Sequence, residues 1–173
     1  MGKDDAEEFS KQALAAFGWL SEFSFELAGR DHALSRDKSR PLYSAVVWSS
    51  SHLQLFIEVT LEYPRPALVV EFGPLVDGDV PAVQDISNRH HLTALVALKT
   101  GDEELAAEAG MVKGVSGRQL DRALRRSADL LREYGIDILR GDRSDFKKLE
   151  DFASERQEGL RHRYLLDAPG MHP

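Results

Sequence analysis

The sequence predicts an α+β protein in which an antiparallel four-stranded meander sheet is packed on one face by N-terminal and C-terminal helices. Residues 53–63 alternate between apolar and polar side chains, which is the period of a half-buried strand. The connections between residues 42 and 72 are too short for crossover helices, so neighbouring strands there must be antiparallel. Helical periodicity precedes and follows this stretch, which places the helices at the two ends of the chain.

Composition indicates one globular domain. The chain has 173 residues, of which 42% are hydrophobic and 29% are charged, enough for one sizeable core. We predict a single α+β domain at residues 1–166 and a C-terminal tail at residues 167–173. The absence of cysteine excludes a disulfide, a thiolate zinc site and a cysteine nucleophile. Neither a signal peptide nor an apolar run of membrane-spanning length is visible, which predicts a cytoplasmic protein.

The acidic charge is concentrated in the first part of the chain. The net charge is −7, and residues 1–112 hold 18 Asp and Glu against 9 Lys and Arg. Such a surface disfavours nucleic acid and anionic membranes and favours a basic protein partner. The alternative is that the acidity only keeps the protein soluble. The sequence does not indicate an oligomeric state.

Residues 4–20 are predicted to form an amphipathic helix. Its apolar residues recur at helical spacing, and its early acidic residues suit the positive end of the helix dipole. The apolar set is Phe9, Ala13, Ala16, Phe17 and Leu20. Gly18 is a candidate break in this helix.

The strands follow in order. A first strand is predicted at residues 23–27, where Phe23, Phe25 and Leu27 alternate with polar residues, and residues 28–41 are predicted to be a loop.

The second strand, residues 42–48, is apolar on both faces and should be central in the sheet. Residues 49–51 form a predicted hairpin turn to the third strand, residues 53–63. The Pro-Arg-Pro run at residues 64–66 breaks the chain before a fourth strand at residues 67–72.

The second half is predicted to be helical. Residues 90–99 are predicted to form a helix closed by Gly101, on the spacing of Leu92, Leu95, Val96 and Lys99. The alternation of Leu92, Ala94, Val96 and Leu98 also fits a strand, and we favour the helix. A short helix is expected at residues 102–109. Ser116 and Gln119 have the spacing of a capping box, which starts a helix that Gly135 ends.

A turn is predicted at Arg140-Gly141-Asp142, a tripeptide known from cell adhesion that here joins two helices. Asp142 or Ser144 should cap the last helix. The apolar face of that helix is formed by Phe146, Leu149, Ala153, Leu160 and Tyr164.

No residue pattern matches a known catalytic or metal motif. His90 and His91 are adjacent, and on a helix their side chains would point about 100° apart, which is unsuitable for binding one metal together. Gly110, Gly114 and Gly117 precede a helix, but their spacing is neither a P-loop nor a dinucleotide fingerprint. No serine lies in a G-x-S-x-G turn. We therefore predict no cofactor and no metal.

The polar face of the predicted sheet is the candidate binding site. If the odd residues of the third strand face the core, the even residues face outward together with acidic residues of the first and fourth strands. The candidate binding residues are Glu26, Phe56, Glu58, Glu62 and Glu71. Simple solvation of an open sheet face is the alternative. As a binding face, it would use Phe56 as an anchor and the acids to steer a basic partner.

Residues 130–146 carry a resemblance to other proteins. The segments Leu130-Leu131-Arg132-Glu133-Tyr134-Gly135 and Ile138-Leu139-Arg140-Gly141-Asp142, followed by Phe146, resemble the closing helices of small uncharacterised bacterial proteins. The preceding strand meander is similar in layout to immunity proteins that neutralise secreted bacterial toxins. The resemblance implies a non-enzymatic, partner-binding α+β protein, and it transfers no site residue.

Two hypotheses for the function follow. The first is a protein-binding module, of which an immunity-like inhibitor is one form, that uses the acidic sheet face. The second is a small enzyme or ligand-binding protein with a pocket between sheet and helices, using His90, His91 or Asp142.

Overall fold

The computed structural model describes residues 3–34, 41–63, 67–83, 85, 87–110 and 117–166. The strands are β1 Glu26–Leu34, β2 Pro41–Ser50, β3 Leu55–Glu62, β4 Ala67–Pro74 and β5 His90–His91. The helices are α1 Lys3–Phe17, α2 Leu92–Thr100, α3 Glu103–Glu108, α4 Gly117–Tyr134, α5 Ile136–Leu139 and α6 Phe146–Leu166, with a 3₁₀ helix at Gly18–Phe23.

The described strands form one open antiparallel sheet in the order β1-β2-β3-β4-β5. The predicted α+β class and antiparallel sheet are therefore confirmed, but the predicted number of four strands is wrong, because the described sheet has a fifth. Strand β5 pairs with β4 through His90 and His91 only. Two residues are too short to show a period, so alternation in the sequence could not reveal this strand.

The first strand lies further along the chain than predicted. Residues 18–23 form the 3₁₀ helix, and β1 extends to Leu34, through much of the predicted loop. Residues 35–40 of that predicted loop lie outside the described residues. Strand β1 is at the edge of the described sheet, where backbone pairing with β2 is compatible with charged side chains such as Arg30 and Asp31. Because of these charged residues, apolar alternation in the sequence could not identify the full length of β1.

One face of the sheet, the helix-covered face, holds the core. Its side chains are fully or almost fully buried and include Val46, Trp48, Ile57, Val59, Leu61, Val70 and Phe72. Helix α1 contacts β2, with Phe17 against the Trp48 ring at 5.7 Å, while α2 and α4 contact β4. Burial of these alternating side chains provides the main hydrophobic stabilisation of the sheet.

The helices predicted for the second half are present in the described residues, but three details are wrong. His90 and His91 form β5 instead of helix, Asp145 and not Asp142 or Ser144 directly precedes α6, and Ala153 of the predicted apolar face is exposed. Residues 92–100 are helical, and Gly101 closes α2 with a φ of +68°. Asp102 caps α3 by accepting hydrogen bonds from the backbone N–H groups of Glu104 and Leu105. Helix α4 ends at Tyr134, as predicted. Ser116 of the predicted capping box, Gly114 and the tail at residues 167–173 lie outside the described residues.

The turn at residues 140–145 joins α5 to α6 and ties this end of the chain to the sheet. Gly141 has a φ of +94°, and Asp142 Oδ1 accepts a hydrogen bond from the Ser144 N–H at 2.8 Å. Asp142 therefore caps the turn, and α6 begins at Phe146. Arg143 donates to the backbone oxygens of Leu53 and Gln54 in the β2–β3 hairpin.

Opposite the helix-covered face, the chain returns across the sheet between β4 and β5. We call the described residues of this stretch, 75–83, 85 and 87–89, the return segment. Gly73 makes its close approach possible, because a Cβ at Gly73 would lie 2.0 Å from the backbone oxygen of Asn88. In the part of the chain that the structure describes, none of the helices combines the length and apolar composition needed to cross a membrane.

Candidate functional site

The second face of the sheet forms a groove with a volume of about 1120 Å³. Its floor is the groove face of the sheet, which includes Ala45, Val47, Thr60 and Val69. Its walls are formed by the return segment, at residues 80–83, Ser87 and Arg89, and by the first turns of α6, at Glu150, Ala153 and Ser154. Among the described lining residues, five carboxylates face a single guanidinium. The acidic residues are Asp31, Glu58, Glu62, Glu71 and Glu150.

Arg89 closes one end of the groove. Glu58 and Glu71 are direct partners across β3 and β4, and the guanidinium of Arg89 pairs with both. Its Nη2 lies 2.8 Å from Glu58 Oε2 and 2.5 Å from Glu71 Oε2, and its Nε donates to Glu71 at 3.1 Å. Its Nη1 donates to the backbone oxygen of Pro81 at 2.8 Å. We call this arrangement the closed end.

The electrostatics of the closed end favour the ion pairs. Burial alone would lower the pKa of Arg89, but the hydrogen bonds to Glu71 and Glu58 outweigh burial and raise that pKa above its ordinary value. The Arg89 side chain is 3% exposed, while those of Glu58 and Glu71 retain 15% and 13%. The guanidinium therefore neutralises charge that would be costly to bury alone.

Phe56 is fully buried at the closed end. The Arg89 Cζ lies 5.1 Å from the centre of the Phe56 ring, and Gly73 and the backbone of Asn88 complete the cover. The expectation that Phe56 lies on an open face is therefore wrong, because the return segment packs over it. It offers no surface to a partner in this structure.

The opposite end of the groove, which we call the open end, contains Asp31, Tyr43 and Glu62. Tyr43 and Glu62 are direct partners across β2 and β3. The Tyr43 hydroxyl donates a hydrogen bond to Asp31 Oδ2 at 2.5 Å, and this bond, with burial, raises the pKa of Tyr43 above its usual value. The Glu62 side chain is exposed and has no ion-pair or hydrogen-bond partner among the described residues.

The predicted binding residues thus fall into three settings. Glu58 and Glu71 are held by Arg89 at the closed end, with Phe56 beneath the guanidinium. Glu62 lies at the open end. Glu26 is exposed at the start of β1, opposite Ser49, and is not among the described residues that line the groove. Their role in binding stays a prediction.

The histidines and Asp142 of the enzyme hypothesis are not brought together. Because His90 and His91 form a strand and not a helix, they face opposite sides of the sheet, across from Phe72 and Glu71 respectively. His91 lines the groove, with its Nε2 3.5 Å from Glu71 Oε1. His90 is buried, its ring 4.9 Å from that of Phe146. Asp142 caps the turn before α6.

The described residues contain no group of three or more His, Asp or Glu side chains arranged to hold a metal ion. The polar groups of the described groove lining are carboxylates, one guanidinium, one imidazole, the phenol groups of Tyr43 and Tyr63, and the hydroxyls of Thr60, Ser87 and Ser154. Such groups are suited to binding cations and hydrogen-bond donors.

Sequence reasoning missed Arg89, Tyr43, Asp31 and Glu150. Arg89 stands alone in a polar segment without periodicity, and no local signal assigns it to carboxylates 18 and 31 positions earlier in the chain. Tyr43 could have been found, because alternation along β2 places it on the same face as Val47, and a short hairpin pairs it with Glu62.

Comparisons with known proteins give no relative from which to transfer a role. No protein-family model, curated protein or solved structure matches this chain.

Proposed function

We propose that this protein is a non-enzymatic binding module whose groove receives a basic segment of a protein partner. The observation that carries the proposal is the composition of the groove. Five carboxylates against one guanidinium, among the described lining residues, leave an excess of negative charge in a concave site. Concave sites focus electrostatic potential, so this groove should attract Lys-rich or Arg-rich segments.

The shape favours a polypeptide over a small metabolite. The volume of about 1120 Å³ lies above the range of roughly 300–1,000 Å³ typical of small-molecule pockets. The floor and wall also offer apolar contacts: Val47 and Val69 are only half-buried, and Val83 is 69% exposed. A floor that carries carboxylates beside apolar side chains suits a segment that presents both aliphatic and basic side chains.

An immunity-like inhibitor is one form of such a module. The layout of the strand meander, which is similar to that of immunity proteins, supports this form, as does an acidic groove that could cover a basic surface on a toxin. We expect the protein to act in the cytoplasm, where proteins fold without disulfides, because the chain contains no cysteine.

The second candidate function is a small enzyme or ligand-binding protein. One observation favours it: His91 is half-exposed in the groove beside the Glu71 carboxylate, and such a pair can orient an imidazole as a general base. A small ligand would produce saturable thermal stabilisation in the absence of any basic peptide. The binding-module proposal does not require such stabilisation.

Selection from a random peptide display library would test the proposal. Peptides retained at low salt should be enriched in Lys and Arg, and their binding should weaken strongly at about 0.5 M salt because the charges are then screened. The variant Val47→Lys places a cation on the groove floor, directly across from Glu58, and should abolish retention.

Ala107→Lys is the matched control, because it adds the same charge at an exposed position on α3, outside the groove. It should retain the peptides. Circular dichroism and thermal melts would verify that both variants are folded. Selection without enrichment in basic residues, or equal binding by Val47→Lys, would contradict the proposal.

A further inference from the structure

We infer that the basic side chain of the partner docks at the open end of the groove, against Tyr43 and Glu62, and not at the Glu58–Glu71 pair. This inference rests on the proposed function and specifies which part of the groove recognises the cation. The occupant is a lysine or arginine side chain of the bound segment.

The closed end already contains its cation. Arg89 makes the contacts that a partner arginine would seek there: it pairs with Glu58, makes two hydrogen bonds to Glu71 and stacks over Phe56. Its remaining Nη1 donor is used by the Pro81 backbone oxygen. A second cation would have to displace a guanidinium that is 3% exposed and donates four hydrogen bonds. The closed end therefore contributes negative charge to the groove but has no free binding position for another cation.

The open end has the complementary arrangement. The strand that carries Tyr43 lies between the strands that carry Asp31 and Glu62. The hydrogen bond from the Tyr43 hydroxyl to Asp31 restrains the aromatic ring, and Glu62 lies directly across from Tyr43 in the register. The side chains of direct cross-strand partners project from the same face, with Cβ atoms about 5 Å apart.

The chemistry of these groups selects a cation. The face of a tyrosine ring attracts an ammonium or a guanidinium, and an adjacent carboxylate adds a charge-assisted hydrogen bond. A neutral or acidic side chain would gain neither contact. The half-buried floor residues Val47 and Val69 can hold the aliphatic part of the same segment.

A double-mutant cycle with one selected peptide tests this assignment. The chain variants are Glu62→Gln and Tyr43→Leu, and the peptide variant replaces its essential Lys with norleucine, or its essential Arg with citrulline. We expect Glu62→Gln to lower the affinity for the basic peptide roughly fivefold and Tyr43→Leu to lower it roughly threefold. Neither change should alter the affinity for the neutral peptide.

Glu104→Gln is the matched control, because it removes the same charge from an exposed residue of α3 that does not line the groove. It should leave the affinity unchanged.

If Glu62→Gln has no effect while Val47→Lys still abolishes binding, the assignment of the basic side chain to the open end is wrong. The proposal that the groove receives the basic segment then stands. If the library yields no basic peptides at all, the proposed function itself fails.

Discussion

The two faces of strand β3 differ in how they are buried. On the helix-covered face, Leu55, Ile57, Val59 and Leu61 are uniformly buried. On the groove face, burial is graded: Phe56 is covered, Glu58 is partly covered and Glu62 is exposed. The first face is covered by whole helices, whereas the second is covered by a return segment whose anchor, Arg89, reaches only the closed end. A sheet face can therefore combine a structural part with a part that is available for binding.

The largest expected loss of stability comes from a cavity in the helix-covered face. Leu61→Ala should lower the free energy of unfolding by about 4 kcal/mol, because a fully buried leucine leaves a cavity that rigid neighbours cannot fill. Val69→Ala, on the groove face of β4, should cost less than about 1 kcal/mol because Val69 is only half-buried. Urea denaturation of both variants measures the difference. Equal losses would show that the groove face is packed as a second core.

Removing Arg89 should have the next largest effect. Arg89→Met should lower the free energy of unfolding by about 3 kcal/mol, because Glu58 and Glu71 are left close together and largely desolvated. The triple variant Arg89→Met, Glu58→Gln, Glu71→Gln removes the charges and should recover most of that loss.

Urea denaturation at neutral pH compares the single and triple variants. The role assigned to Arg89 at the closed end would be contradicted if the single variant were as stable as the wild type. It would also be contradicted if the triple variant were no more stable than the single variant.

The contrast between the faces also explains what the sequence could predict. Alternation in β3 identified Val59 and Leu61 as core residues, because helices cover that face along its length and burial then follows the strand period. The same alternation placed Glu58 and Glu71 on one face, and the register agrees. It could not show that Arg89 neutralises them, because that contact depends on the path of the return segment across Gly73.

The candidate site was predictable only in part for the same reason. Its strand residues follow from local patterns, whereas its walls come from the return segment and from α6, which are distant in sequence. The split between a closed and an open end is set by how far one arginine side chain reaches. Residue types along β3 carry no information about that distance.

The smallest effect that we predict concerns pH and the two histidines that β5 sends to opposite faces. Burial of His90 against Phe72 and Phe146 lowers its pKa below 6.5; His91 also lowers it, while Glu150 on α6 raises it. The folded protein therefore binds a proton at His90 less readily than the unfolded chain does. The stability contributed by neutral His90 is complete above pH 6.5 and is lost as the pH falls from there through the lowered pKa of the folded state.

His90→Phe keeps an aromatic ring between Phe72 and Phe146 and removes the titrating group. Between pH 7.5 and pH 5.5, this variant should lose less stability than the wild type in parallel urea titrations, whereas His91→Asn on the groove face should keep most of the wild-type loss because His90 is still present. The effect should be smaller than that of Arg89→Met, because protonation adds one charge at a single site while removal of Arg89 leaves two carboxylates unneutralised. Identical pH profiles for His90→Phe and the wild type would mean that the helix-covered face tolerates a charged imidazole at position 90. Water would then reach this edge of the face more readily than it reaches the neighbouring core residues.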